Sequence, residues 1–250
     1  MNTSYAISAI DCSETARVRD RTGDGARRVS TAVATAALSL SLLAAGARAQ
    51  ELDAGRLELR EGGQRIGLES FRVWRAGSTL NAVATVEPPA GRPGKFQVGL
   101  QINAEHRPIR YERSVDGRRE VEAVWSADRV RLHMLSDEGE RWKELASRGP
   151  ASVLGEGVAH HLLVLVLVLR ETQAGRAGVI MPTAGEGGSA QLVGETPESV
   201  TIEGRSVAAT RYEVQIGSTV HHVWLDAENR LLRVQNVTEG WEAIRLPSRG

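Results

Sequence analysis

Two pairs of adjacent histidines are the residues of this sequence that could bind a metal ion: His160-His161 and His221-His222. Neighbouring side chains point to opposite faces of a strand and diverge by about 100° on a helix, so neither pair chelates an ion by itself. A site would need one histidine from each pair and a carboxylate such as Asp226. The sequence has neither an H-E-x-x-H motif nor a close His/Cys cluster. We therefore expect no metal and no other cofactor, and partly exposed histidines at sheet ends.

Catalysis by a nucleophile or by an acid–base pair has no recognisable motif. The sequence lacks a G-x-S-x-G elbow, and after residue 49 it also lacks an S-x-x-K pair. Glu69, Glu140 and Glu144 could act as acid and base, but their spacing does not distinguish them from a solvated strand face. The glycine-rich residues 185–188 lack the Lys-Ser/Thr of a phosphate-binding loop. We assign no catalytic residue, and a hydrolase is the function least expected.

The five tryptophans are better candidates for a binding site, because the chain has only two Phe and three Tyr. Each lies within a strand-like segment, and several on one concave face could line an apolar pocket. The alternative is that they pack in the core or at edge strands. The candidate cavity residues are Trp74, Trp125, Trp142, Trp224 and Trp241.

The segments that carry these residues alternate between apolar and polar positions. Residues 95–103, 120–125, 129–134 and 211–216 all follow this period of two, which is typical of strands with one buried face. Asp116-Gly117 predicts a tight hairpin turn, and the three prolines within residues 88–94 predict a loop. Turn signals at intervals of about ten positions favour an antiparallel meander, which forms a large sheet, a sandwich or a barrel. The predicted fold class is therefore mainly β.

One segment lacks this alternation. Residues 162–169 are eight consecutive apolar residues that follow His160-His161 and precede Arg170. They are consistent with a strand buried on both faces or with a helix over residues 158–172, and the stop signal at Gly175 favours the helix. After this segment we predict a loop over residues 184–189 and a short strand over residues 200–202.

The N-terminal part of the chain has the pattern of a secretory signal peptide. Arg27-Arg28 precede fifteen mostly apolar residues, 31–45, and the small residues Ala47 and Ala49 precede Gln50. A basic flank, a short apolar core and a small-x-small exit predict cleavage before Gln50. The apolar core is shorter than the roughly 20 residues of a membrane-spanning helix, so we expect no transmembrane anchor after cleavage. Residues 1–49 are then a leader, and residues 50–250 form one exported domain, periplasmic or extracellular.

Charge excludes one class of partner for this domain. The leader holds six of the 31 basic and four of the 31 acidic residues, so the mature chain has a net charge of −2. Such a chain lacks the positive surface that nucleic acids require, and we expect no nucleic-acid partner. The single Cys12 lies in the leader, so we expect neither disulfides nor a thiol nucleophile in the mature domain.

Several motifs, taken in order, resemble a known group of proteins. Over most of residues 55–247 the chain is similar to exported bacterial domains of unknown function that resemble the half-barrel of the periplasmic lipoprotein carriers (LolA-like). The matching segments are Gly67-Leu68-Glu69-Ser70-Phe71, Pro108-Ile109-Arg110-Tyr111, the apolar run ending at Arg170, the strand at Pro182, residues 200–212, and residues 223–234 with Trp224-Leu225-Asp226 before the turn and Leu231-Leu232-Arg233-Val234 after it.

This resemblance implies a strongly curved antiparallel sheet around an apolar interior, an open half-barrel. It also implies that the apolar run near residues 158–172 is a helix that plugs the concave face. The carriers bind acyl chains, and the group supplies no catalytic residues. We therefore expect a non-enzymatic exported protein of the bacterial cell envelope that binds a lipid or another apolar small molecule. The alternative is a structural or adaptor module that binds an envelope protein through a sheet edge or loops.

Overall fold

The computed structural model describes residues 49–91 and 94–247 of the 250-residue chain. This part of the chain is mainly β, with fifteen strands and one helix, α1 (His160–Glu171). The strands are β1 (Gln50–Glu61), β2 (Gln64–Ala76), β3 (Thr79–Glu87), β4 (Phe96–Ile102), β5 (Pro108–Val115), β6 (Arg118–Ser126), β7 (Arg129–Ser136), β8 (Gly139–Ala146), β9 (Ala151–Val153), β10 (Arg176–Met181), β11 (Glu186–Ile202), β12 (Arg205–Ile216), β13 (Thr219–Leu225), β14 (Leu231–Asn236) and β15 (Trp241–Leu246).

All fifteen strands belong to one sheet, in the order β8-β7-β6-β5-β4-β3-β2-β1-β15-β14-β13-β12-β11-β10-β9. Two pairings depart from a simple chain of hairpins. β1 pairs with β15 in the middle of the sheet, and β9 lies parallel to β10 at one edge. β8 and β9 are thus the two edges, and the curved sheet does not close into a barrel. The predicted curved, open and mainly antiparallel sheet is confirmed.

The alternation in the sequence is the alternation between the two faces of this sheet. On β4, Val98, Leu100 and Ile102 are buried, whereas the residues between them are partly or fully exposed. The buried side chains of successive strands form one continuous apolar core. The Asp116-Gly117 hairpin is also confirmed, since both residues have positive φ (47° and 81°), as a two-residue type I′ turn requires.

The region around residues 184–202 corrects a prediction. We expected a loop over residues 184–189 and a short strand over 200–202, whereas β11 is a single strand of 17 residues from Glu186. Backbone pairing needs no side chains, so Gly187 and Gly188 pair with Ile180 and Val179 of β10. Pro197 is accommodated because β10 pairs only with the first part of β11, and Pro197 pairs with β12 alone.

Helix α1 is apolar on every side because it lies inside the curve of the sheet. It contacts β3 as well as β9, β10, β11, β13 and β14, and its buried residues belong to the same core as the inner face of the sheet. Leu163, Leu165 and Leu169 are each 0% exposed, and burial of one such side chain contributes roughly 1.5–3 kcal/mol. The predicted helix, packed against the concave face, is confirmed. Within the described residues, no helix has the length and apolar character needed to cross a membrane.

The predicted cleavage site lies at the border of the described residues. Ala47 and the predicted leader up to residue 48 lie outside them, whereas Ala49 and Gln50 are described and exposed. Gln50 is the first residue of β1.

Candidate functional site

A side chain from a distant strand holds the first turn of α1. Glu69 of β2 accepts hydrogen bonds from the backbone N–H groups of Ala159 (2.7 Å) and His160 (3.0 Å), and its Oε1 accepts a third from Nδ1 of His160 at 2.6 Å. The helix supplies no side-chain cap of its own. Glu69 therefore satisfies donors that a helix N-terminus leaves free, and its carboxylate faces the positive end of the helix dipole.

Both histidines of the first pair are completely buried, which corrects the prediction of partial exposure. α1 is covered on all sides, so two adjacent residues are buried together although they point in different directions. Nδ1 of His161 accepts a hydrogen bond from the N–H of Gly155 at 2.9 Å. Burial lowers the pKa of His161 well below its usual range, and the neighbouring His160 and Arg113 lower it by smaller amounts. Glu69, predicted as part of a solvated face, is also 0% exposed.

The Glu69–His160 pair resembles the carboxylate–imidazole pair of hydrolases, in which the acid orients the base. Here Nε2 of His160 is buried without a partner, and so are Nε2 of His161 and the hydroxyl of Tyr111. Burial raises the pKa of that hydroxyl. None of these four residues is exposed to solvent, so a substrate does not reach them. The cluster holds the start of the helix and is closed to solvent in this structure.

An open cleft of about 580 Å³ lies beside this first turn, and we call it the helix-end cleft. Its walls are residues 154–158, the adjoining ends of β10 and β11, the β12–β13 turn, and inner-face residues of β13 to β15. The apolar part of the lining includes Leu154, Val158, Met181 and Ile216. The volume falls within the range of roughly 300–1,000 Å³ that is typical of small-molecule sites.

One wall of the cleft is formed by three paired inner-face residues. His221 lies opposite Asn236 across β13 and β14, and Asn236 lies opposite Trp241 across β14 and β15. His221 is 7% exposed, which again corrects the expected partial exposure, and its Nδ1 has no hydrogen-bond partner. Burial, with a smaller effect of His222, lowers the pKa of His221 to about 4. This imidazole is therefore neutral at neutral pH.

The tryptophans do not converge on the cleft, and Trp241 alone of the five lines it. Trp125 lies on β6, toward the β8 edge of the sheet, where its Nε1 donates to Oγ of Ser147 at 3.0 Å. Trp224 is buried in a small separate cluster and donates a hydrogen bond to Glu198. Trp74 is half-buried, with the guanidinium of Arg72 5.3 Å from its ring.

Trp142 lies on the edge strand β8 and is 61% exposed. Its ring is stacked on that of His133, with 4.0 Å between the centroids and 3° between the planes. Within the described residues, β8 pairs with β7 on one side only. Trp142 therefore belongs to an exposed sheet edge and not to the interior.

A second buried polar cluster joins β1 to the C-terminal strands. Asp53 forms an ion pair with Arg245, with 3.0 Å between Oδ1 and Nη2, and also accepts a hydrogen bond from the N–H of Leu231 at 2.8 Å. The Arg245 side chain donates further to the backbone oxygens of Ala54 and Leu231. Sequence reasoning missed this pair, although the alternation Trp241, Ala243, Arg245 places the arginine on the inner face.

The two histidine pairs do not form a metal site. His160 and His161 lie at the start of α1, whereas His222 interacts with Arg211 and Glu213 at 3.1 and 3.4 Å. In the described part of the chain, no group of three or more His, Cys, Asp or Glu residues is arranged to hold a metal ion.

Comparison with known proteins identifies no family for this chain. No protein-family model matches it, and no curated protein matches it. Among solved structures, it is similar to a beta-barrel-like protein of the domain of unknown function DUF1849 from Brucella abortus. The two share 9% sequence identity at a TM-score of 0.46, and the match covers 77% of this chain and 94% of that one.

Proposed function

We propose that this protein binds an apolar or amphipathic small molecule, such as a lipid, in the helix-end cleft, and that it does so as an exported, non-enzymatic protein of the bacterial cell envelope. The observation that supports ligand binding most directly is the cleft itself. It is large enough for an acyl chain of ordinary length, and its lining is mainly apolar or glycine with a few polar groups.

The burial of the polar side chains at the start of α1 also supports this proposal. The groups that could carry out acid–base chemistry, Glu69, His160 and His161, are completely buried and hold the helix. The cleft lining instead combines an apolar surface with the neutral His221 and with the solvent-exposed side chains of Glu156 and Glu239. Such a lining favours binding over catalysis.

A glycine on the cleft wall gives a direct test. Gly188 pairs with Val179 on the inner face, and a Cβ added at Gly188 meets nothing within 4 Å. We expect Gly188→Phe to fill the cleft without disturbing the core. Binding is measured with N-phenyl-1-naphthylamine, an uncharged probe whose fluorescence rises in apolar sites. Wild-type protein should bind it saturably, and Gly188→Phe should reduce the affinity at least tenfold.

The matched control is Gly99→Phe. Gly99 lies on β4 between the buried Val98 and Leu100, and an added Cβ there also meets nothing within 4 Å. This variant should bind the probe as the wild type does. Equal binding by both variants would contradict the assignment of the site to the cleft. No binding by folded wild-type protein would contradict the proposed function.

Export is tested separately from binding. Cleavage before Gln50 would leave every described strand intact, because β1 begins at that residue. We expect the protein isolated from the periplasm or the medium of a bacterial host to begin at Gln50, as measured by N-terminal sequencing. Protein that is found only inside the cell with residues 1–49 still attached would contradict export.

The exposed edge at β8 favours a second candidate function, an adaptor that adds a strand of an envelope protein to its sheet. β8 offers an unpaired backbone edge within the described residues, and Trp142 beside it is exposed. If this is the function, Lys143→Pro should abolish binding of an envelope protein by the purified domain, whereas Gly188→Phe should not affect it.

A further inference from the structure

The charges at the helix-end cleft indicate which amphiphiles fit it. The charged side chains of its lining are Glu156 and Glu239, and both are exposed. Neither Lys nor Arg belongs to the lining among the described residues. A ligand head group at the mouth of the cleft therefore meets two carboxylates.

One of these carboxylates is held in place by a buried side chain of the cleft wall. Asn236 is 2% exposed, and its Nδ2 donates to Oε2 of Glu239 at 2.9 Å. Its Oδ1 accepts a hydrogen bond from the backbone N–H of Glu239 at 2.8 Å. Asn236 thus binds both the backbone and the carboxylate of Glu239 beside the cleft wall.

Two nearby groups that could attract an anion are already engaged, the helix N-terminus and Arg113. The N–H groups of Ala159 and His160 at the helix N-terminus donate to Glu69, so this helix end offers no anion site. Arg113 lies behind the 154–158 segment, where it donates to the backbone oxygen of Glu156 at 2.9 Å and to Glu120 at 2.6 Å. Neither group is available to a carboxylate or phosphate in the cleft.

The buried wall adds no positive charge. His221 is more than nine-tenths buried, and its Nδ1 has no partner. Because burial lowers the pKa of His221 to about 4, the ring is an uncharged polar group at neutral pH. The cleft therefore combines an apolar surface, a neutral imidazole and two acidic residues.

We propose that the helix-end cleft selects amphiphiles with a positively charged polar group, an amine or a quaternary ammonium, over amphiphiles of the same chain length with a carboxylate or phosphate. This proposal rests on the proposed function, because it specifies the ligand class for the same cleft. The apolar chain packs against the Ile216 and Trp241 side of the lining, and the cation lies between Glu156 and Glu239.

The test uses three ligands that share a decyl chain and differ only in charge: decyltrimethylammonium, decanol and decanoate. Each displaces N-phenyl-1-naphthylamine from the wild-type protein at pH 7 and low salt. We expect the cation to bind about tenfold more tightly than decanoate, with the alcohol between them, because two exposed charges each contribute a modest attraction or repulsion. High salt should reduce the difference.

A double variant, Glu156→Gln with Glu239→Gln, identifies the source of the selectivity. It should bind decanol as the wild type does and lose the preference for the cation. The matched control is Glu61→Gln with Glu105→Gln, which removes two exposed carboxylates outside the cleft lining and should keep the preference. Both double variants should unfold cooperatively, with the same midpoint temperature of thermal unfolding as the wild-type protein.

The outcomes separate the two proposals. If decanol and the cation displace the probe but decanoate binds as tightly as the cation, the proposed charge selectivity is wrong, whereas the proposed ligand site is supported. If the preference persists in the Glu156/Glu239 variant, or disappears in the control, the assignment to these two residues is wrong. If the wild type does not bind the uncharged probe at all, the proposed function itself is wrong.

Discussion

Replacement of Glu69 should destabilise the domain more than replacement of any exposed acidic residue. Glu69→Ala removes the acceptor of three hydrogen bonds and leaves the backbone N–H groups of Ala159 and His160 and Nδ1 of His160 buried without partners. A bond to a charged group contributes roughly 1.5–3 kcal/mol, and removal of one member of a buried pair costs about 3–5 kcal/mol.

The free-energy contributions of the three hydrogen bonds are not additive, because the variant also avoids the cost of burying a carboxylate. We therefore expect Glu69→Ala to lower the free energy of unfolding by about 4 kcal/mol. This is a large part of the total free energy of unfolding of a domain, which is typically about 5–15 kcal/mol. Glu69→Gln keeps an amide oxygen as acceptor but turns an N–H group toward a donor. We expect it to cost about 2 kcal/mol.

Urea denaturation followed by tryptophan fluorescence measures both effects. With a slope of about 2 kcal/mol per molar, the midpoint should fall by about 2 M for Glu69→Ala and about 1 M for Glu69→Gln. The control is Glu61→Ala, an exposed residue of β1, which should shift the midpoint by less than about 0.3 M. Amide exchange should also accelerate at Ala159 and His160 in the Glu69 variants. A Glu69→Ala midpoint equal to that of the control would refute the capping argument.

Three further comparisons between variants test the packing and titration of α1 and the helix-end cleft. Gly155→Ala should cost about 1–3 kcal/mol in urea denaturation, because its Cβ would lie 3.0 Å from Oη of Tyr111, whereas Gly188→Ala should cost less than about 1 kcal/mol. Leu165→Ala should cost about 2–5 kcal/mol and the less buried Leu167→Ala clearly less, and equal costs would contradict the orientation of α1. The folded state favours the neutral form of His221. Its contribution to the free energy of unfolding is therefore fully present above its usual pKa of 6.5, and it is lost as the pH falls toward the folded-state pKa of about 4. Stability should therefore fall by about 3 kcal/mol more between pH 7 and pH 4 in the wild type than in His221→Gln, and parallel pH profiles would refute the assignment.

The sequence contained enough information for the strands but not for the interior polar groups. Period-two alternation gave β4, β6, β7 and β12, because a strand with one buried face repeats every second residue. The same rule places Glu69 on the face of Phe71 and Val73, so its burial was within reach of the pattern. The three donors that bind Glu69 could not be predicted from the pattern, because they lie some 90 residues later in the chain.

Local composition was misleading where pairing overrides it. Gly187, Gly188 and Pro197 are weak strand formers, yet all three lie in β11, because β10 and β12 supply the hydrogen-bond partners. The tryptophans are a similar case. Their spacing shows that they lie in strands, but only the order of those strands determines that Trp241 reaches the cleft and Trp142 an exposed edge.

The sequence by itself determined the mainly β class, the hairpin at Asp116-Gly117 and the burial of residues 162–169, because these depend on neighbours along the chain. Only the tertiary structure decided that Glu69 meets the start of α1, that His221 and Trp241 share a wall, and that Glu156 and Glu239 border one cleft. These contacts depend on which strands pair across the whole sheet, above all β1 with β15, and on the helix lying inside its curve. The physical reason is that burial and electrostatic fields act through space, where residues far apart in the sequence become neighbours.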